Sequence, residues 1–95
     1  MLKAYYDNML IGVTNEFIFK DGKYFFPRTK INFSLLKKSK THINSPHLGI
    51  ANFYNLETDR IHEKDIAWYY PKTDETVKEL ENFITFNNKI TFIKN

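Results

Sequence analysis

An aromatic run near position 68 carries the side chains best suited to bind a flat molecule. Trp68, Tyr69 and Tyr70 follow one another, and Trp68 is the only tryptophan of the chain. Because side chains alternate along a strand, Trp68 and Tyr70 are predicted on one face and Tyr69 on the other. Ring faces stack on planar groups and attract cations, so the run predicts an aromatic pocket, joined by Tyr54 and Phe53 of a neighbouring strand. The competing interpretation is that each ring is simply core, which is the more frequent outcome for any single ring.

A second group of chemically useful side chains lies between positions 41 and 47. Thr41, His42 and Ser45 are predicted to supply polar contacts to a ligand in the aromatic pocket. In the enzymatic alternative, His42 or His47 acts as a general base on a small molecule, with Ser45 and the Asp65 region nearby. No nucleophile-elbow glycine pattern surrounds Ser45, so a polar turn with solvent-facing histidines is the favoured interpretation.

The residues offer no metal site and no cofactor motif. The chain has no cysteine, which excludes disulfides, thiolate catalysis and cysteine-based zinc sites. His42, His47 and His62 are metal-ligand types, but they lack the close spacings that zinc enzymes use. We therefore predict no metal and no cofactor.

The only basic cluster consists of Lys37, Lys38 and Lys40. It suggests, as a further alternative, a weak contact with single-stranded nucleic acid. The net charge is only +3, and no RNA-binding signature is present, so a solvated segment is favoured and nucleic acid is disfavoured as a partner.

The 95 residues predict one domain, residues 1–95, with an aromatic-rich β fold. Asp7-Asn8 and Asp21-Gly22 favour tight turns, which predicts an N-terminal meander of four strands. No apolar run is long enough for a membrane helix and no export signal is seen, so a cytoplasmic location without membrane contact is expected. Oligomerisation with further copies of the chain stays open.

The second half of the chain is predicted to mix strands with helical segments. Asn32 is a plausible N-cap for a short helical turn within 32–37, and residues 39–48 are predicted to be the longest loop. A C-terminal α-helix is predicted after Pro71, capped by Thr73 or Asp74, because apolar residues recur there at helical spacing. These are Val77, Leu80, Phe83 and Ile84. The chain is predicted to close with a strand at 90–93.

Four blocks of the sequence form a pattern that covers nearly the whole chain. The blocks are Tyr6-Asp7-Asn8, Phe25-Phe26-Pro27, Ser39-Lys40-Thr41 with Ser45-Pro46-His47-Leu48-Gly49-Ile50-Ala51-Asn52-Phe53-Tyr54, and Ala67-Trp68-Tyr69-Tyr70-Pro71. In these blocks the chain resembles the bacterial family described as domain of unknown function 427. The chain departs from the family pattern at Ser45, where a cysteine is usual, and at Leu48, where a lysine is usual. Members are occasionally labelled nucleotidyltransferases, but these residues contain no motif for that activity.

The resemblance implies a β-tent-like arrangement of small antiparallel sheets. Some β-tents cage a small ligand with aromatic side chains, and others hold zinc through cysteine pairs that this chain lacks. Together the resemblance and the residues predict a mainly β domain with one C-terminal α-helix and a short helical turn. The predicted function is a non-enzymatic module that binds a small molecule.

Overall fold

A computed structural model describes all 95 residues, Met1–Asn95. Nine strands form three antiparallel sheets, as the sequence predicted for a mainly β domain. The strands are β1 (Leu2–Tyr6), β2 (Met9–Thr14), β3 (Ile18–Lys20), β4 (Lys23–Phe25), β5 (Leu36–Ser45), β6 (Gly49–Glu57), β7 (His62–Tyr69), β8 (Ile84–Phe86) and β9 (Thr91–Lys94). The helical segments are 3₁₀ turns at Arg28–Lys30, Phe33–Leu35 and Glu75–Leu80. None of them is long and apolar enough to cross a membrane.

The first sheet joins the two ends of the chain, in the order β2-β1-β9. Its β1–β2 turn is where Asp7-Asn8 predicted it, and Asp7 has the positive φ (51°) that such turns need. The predicted four-stranded meander is wrong, because β9 occupies the second edge of β1 and β3–β4 forms a separate hairpin. The Thr14 hydroxyl accepts the Glu16 N–H at 2.8 Å, which turns the chain away after β2.

The β3–β4 hairpin forms at the predicted Asp21-Gly22 turn, where both residues have positive φ (53° and 79°). Directly after β4, the backbone of Phe26 exchanges two hydrogen bonds with Ile84, at 2.7 and 2.8 Å. The hairpin therefore lies beside the β8 edge of the third sheet.

The third sheet has the order β5-β6-β7-β8, and β5 is its free edge. The loop predicted at 39–48 is wrong, because residues up to Ser45 belong to β5 and only the tip of a β5–β6 hairpin remains. The segment resembled a loop because an edge strand carries polar side chains toward solvent. Lys37, Lys38, Lys40 and His42 are all exposed along it.

The predicted C-terminal α-helix is also wrong. Residues Glu75–Leu80 form a 3₁₀ segment interrupted at Val77 (φ −131°, ψ 31°), and Asp74 makes no side-chain cap. Asn82 then takes a positive φ (67°) and donates its N–H to the Tyr70 carbonyl at 3.0 Å, which sends the next residues into β8. Hydrogen bonds to the neighbouring strands thus replace those of the predicted α-helix.

The short helical turn predicted within 32–37 is confirmed. It is a 3₁₀ turn at Phe33–Leu35, and the Asn32 side chain caps it.

Two hydrophobic clusters lie on opposite sides of β7. The larger fills the space between the first and third sheets, and its fully buried members include Leu2, Ile11, Phe26, Leu56, Ile66, Ile84 and Phe86. The smaller consists of Phe25, Ala51, Tyr70, Val77 and Leu80. The 3₁₀ segment and the β3–β4 hairpin supply most of the smaller cluster, and the candidate site lies at its surface.

Candidate ligand pocket

Trp68 and Tyr70 lie on the same side of the third sheet, as strand alternation predicted. The indole Nε1–H of Trp68 donates to the hydroxyl of Tyr70 at 3.3 Å. The Tyr69 ring points to the opposite side and packs against the larger cluster. On the Trp68 side, Phe53 from β6 is the cross-strand partner, with ring centroids 5.3 Å apart.

A pocket of about 190 Å³ opens beside these two rings. Its walls come from the β3–β4 hairpin, the β5–β6 turn, the end of β7 and the 3₁₀ segment. The lining residues are Lys20, Asp21, Lys23, Phe25, Leu48, Trp68, Tyr70 and Leu80. Phe25, Tyr70 and Leu80 are buried and form the floor, whereas Trp68 and Leu48 are half-buried at the rim.

Four other hollows on the surface are larger but less suited to a small organic ligand. They measure about 460, 470, 260 and 360 Å³, and hydrophobic residues make up three of nine, one of seven, two of five and one of five of their lining residues, against five of eight in the Trp68 pocket. Ligand pockets are mainly apolar with a few convergent polar groups, so composition favours the smaller pocket.

Tyr54 does not line this pocket. It lies on the other side of the sheet, only 5% exposed, and stacks on Tyr69 at a centroid distance of 5.6 Å. The Arg28 guanidinium lies 4.5 Å from the Tyr69 ring centre and 4.8 Å from that of Phe33, and it donates to the Tyr54 hydroxyl at 2.7 Å. The Arg28 guanidinium therefore covers the ring faces of Tyr69 and Phe33 that a cationic ligand would contact.

Thr41 belongs to a polar cluster outside the pocket. Its hydroxyl donates to Asp65 Oδ2 at 2.8 Å, while the Ser39 hydroxyl donates to Asp65 Oδ1 at 2.5 Å. The Asn55 side chain accepts the Asp65 N–H at 2.9 Å. The cluster sits where the ladder shifts register between Lys38 and His42, and where Asp65 takes a positive φ (56°). These contacts hold an irregular backbone in place, and we refer to Ser39, Thr41, Asn55 and Asp65 as the Asp65 clamp.

The histidines proposed as general bases, His42 and His47, form no hydrogen bond with Ser45 or Asp65. His42 and His47 are exposed and make no side-chain hydrogen bond, and Ser45 lies at the end of β5 without a side-chain partner. Both carboxylate oxygens of Asp65 are engaged by the clamp. His62 pairs instead with Glu57, at 3.4 Å. No group of three or more potential metal ligands is found.

Gly49 holds the β5–β6 turn against the end of β7. Its φ is 120°, and a Cβ at this position would collide with the Lys72 carbonyl oxygen. Only glycine allows this close approach. The neighbouring Leu48 thereby reaches the pocket rim. Leu48 and Ser45 are the two positions at which the chain departs from the family pattern, and Ser45 does not line the pocket.

Sequence reasoning missed most of the pocket lining. Lys20, Asp21, Lys23, Phe25, Leu48 and Leu80 come from three segments that are distant along the chain. The Asp21-Gly22 turn was visible in the sequence, but nothing indicated that its flanking lysines lie beside Trp68.

Three antiparallel sheets define a small, mainly β domain. The chain belongs to the family described as domain of unknown function (DUF427), whose model matches residues 19–94. This confirms the resemblance drawn from the sequence blocks. Among curated proteins, no match to the chain was found.

Proposed function

We propose that this domain is a non-enzymatic module that binds a small molecule in the pocket beside Trp68 and Tyr70. The observation that carries the proposal is the convergence of two aromatic side chains, joined by a hydrogen bond, on one mainly apolar pocket. Convergent aromatic surface with a few polar groups is what small-molecule sites share.

Binding is favoured over catalysis by the polar groups that the pocket contains. Its lining holds two lysines, one aspartate and one tyrosine hydroxyl, and neither a histidine nor a serine. General base catalysis requires the base within hydrogen-bond reach of the reacting group. His42, His47 and Ser45 are not among the lining residues, so they are poorly placed to act on a molecule bound there.

The proposal is tested by titrating the fluorescence of Trp68 with a panel of nucleosides, amines, organic acids and neutral aromatic compounds. We expect a saturable change for one chemical class. The Leu48→Phe variant should weaken that binding at least tenfold, because a rigid ring at the half-buried rim obstructs the entrance of a pocket of only about 190 Å³.

The matched control is Leu10→Phe, which adds the same ring on β2 at a side chain that is 42% exposed and outside the pocket. It should leave the affinity unchanged. A panel without any saturable change, or a ligand that binds the Leu48→Phe variant as tightly as the wild type, would contradict the proposal.

A further inference from the structure

The mouth of the pocket carries two lysines that face each other across the hairpin. Lys20 and Lys23 are directly paired in the β3–β4 ladder, on either side of the Asp21-Gly22 turn. Like charges directly opposite one another in a sheet are destabilising. Neither ammonium group forms an ion pair within 4.0 Å, and the Asp21 carboxylate pairs with neither of them. The pair therefore lacks a neutralising partner within the chain.

Lys23 extends over the aromatic wall. Its Nζ lies 5.1 Å from the centre of the Trp68 ring and donates to the Phe86 carbonyl at 3.2 Å. A cationic ligand on this ring would have to displace or approach the ammonium group, which costs Coulomb energy. A ligand with a negative group gains from the same charge.

The Tyr70 hydroxyl adds a donor. Its oxygen accepts the Trp68 indole N–H, while its own O–H makes no hydrogen bond to the chain. A phenolic hydroxyl both donates and accepts, so the proton is free to bond an acceptor on a ligand. The charged residues that line the pocket are thus two lysines and one aspartate, and the Tyr70 hydroxyl is a further donor.

We propose that the ligand is a small organic acid, with a flat apolar body against Trp68 and Leu48 and a carboxylate between Lys20 and Lys23. This inference rests on the proposed function of the pocket. The pocket volume of about 190 Å³ equals that of roughly six waters at ~30 Å³ each, so the pocket admits only a small ligand or the body of a larger one. Charge-assisted hydrogen bonds to the carboxylate are stronger than neutral ones, so they set the preference for an acid.

Three probes of nearly the same shape test the inference: benzoate, benzamide and benzylamine. Isothermal titration calorimetry at one pH near 7 and one low salt concentration gives each affinity. We expect benzoate to bind about tenfold more tightly than benzamide, a difference of about 1.4 kcal/mol, because charge-assisted hydrogen bonds are stronger than neutral ones. Benzylamine should bind more weakly than both.

The Lys20→Gln variant removes one charge and keeps a polar side chain. It should weaken benzoate binding about threefold to tenfold, by loss of one charge-assisted contact, and leave benzamide unchanged. The matched control is Lys40→Gln, which removes the same charge from the exposed edge strand β5. That variant should not alter either affinity.

The outcomes separate this inference from the proposed function. If benzamide or benzylamine binds as tightly as benzoate, the preference for acids is wrong while the pocket stands. If no probe binds but the broader panel gives a saturable change lost in Leu48→Phe, the ligand class is again wrong. If both the probes and the panel are silent, the pocket itself is not a binding site.

Discussion

At the scale of single residues, Gly49 is the position on which the pocket rim depends most strictly. Its backbone approaches the Lys72 carbonyl, and its φ of 120° is disfavoured for any residue with a side chain. Both features act on the turn that carries Leu48. The glycine is therefore explained by local geometry, independently of any ligand.

The Gly49→Ala substitution should destabilise the domain by about 2 kcal/mol or more, because strain at an unfavourable φ costs about 1–3 kcal/mol and the added Cβ also collides with backbone. Urea unfolding measures the change. The matched control is Gly22→Ala, where φ is also positive (79°) but nothing lies within 4 Å of the added Cβ. A Gly49→Ala protein no less stable than Gly22→Ala would show that the close approach is not essential.

At the scale of secondary-structure elements, the Asp65 clamp holds the irregular parts of β5 and β7 together. Register shifts interrupt the ladder on both sides of β6, between Lys38 and His42 and between Tyr54 and Leu56. The Asp65 carboxylate accepts hydrogen bonds from the Ser39 and Thr41 hydroxyls of β5. The Asp65 backbone N–H donates to the side chain of Asn55 in β6. Asp65 lies three residues before Trp68 in β7. The clamp therefore also helps to determine which side chains of β7 face the pocket.

The Asp65→Ala substitution should lower the free energy of unfolding by about 2 kcal/mol, the size of a hydrogen bond to a charged group left unmade. Asp65→Asn should lose less, because the amide oxygen still accepts one hydroxyl and asparagine tolerates a positive φ. The two variants are compared by thermal and chemical denaturation. Equal stability of Asp65→Ala and the wild type would show that the clamp does not contribute to the free energy of unfolding.

Features of the secondary structure that follow from local rules were predictable from the sequence, whereas those that depend on distant contacts were not. The Asp21-Gly22 hairpin and the shared side of Trp68 and Tyr70 were predictable, because turn chemistry and strand alternation are local rules. The helix expected over Val77 and Ile84 failed, because pairing with Phe26 and the Tyr70 carbonyl overrides the local periodicity. Polar composition alone could not separate an edge strand from a loop, and the pocket depends on contacts between segments that no local pattern encodes.

At the scale of the whole molecule, Glu63 links the first sheet to the third. Its carboxylate accepts the Tyr6 hydroxyl of β1 at 2.5 Å and pairs with Lys89 at 2.7 Å, just before β9. The Lys89 contact, followed by the Tyr6 hydrogen bond, holds the pKa of Glu63 below its usual value of 4.5. The same hydrogen bond raises the pKa of Tyr6 above its usual value of 10.0, because it favours the neutral phenol.

The pH dependence of stability follows from these directions. A lowered pKa means that the Glu63 contribution is present above pH 4.5 and is lost as the pH falls through the folded-state value. The Tyr6 contribution is present below pH 10.0 and is lost as the pH rises through its raised value. Thermal melting between pH 3 and 7 should therefore show a smaller loss of Tm on acidification in Glu63→Gln than in the wild type. Identical pH profiles for the two proteins would contradict this role.

The central claim, that the pocket beside Trp68 binds a small ligand, is tested most directly by nuclear magnetic resonance. A single tryptophan gives one indole N–H signal, and this N–H is bonded to Tyr70 at the pocket wall. Titration with benzoate, or with the panel compound that gives the saturable fluorescence change if benzoate is silent, should shift that signal in a saturable way, together with backbone signals of Lys23 and Leu48. The Leu48→Phe variant should require at least tenfold more ligand for the same shift. An indole signal that stays fixed while shifts appear only along the lysine-bearing edge strand β5 would contradict the account.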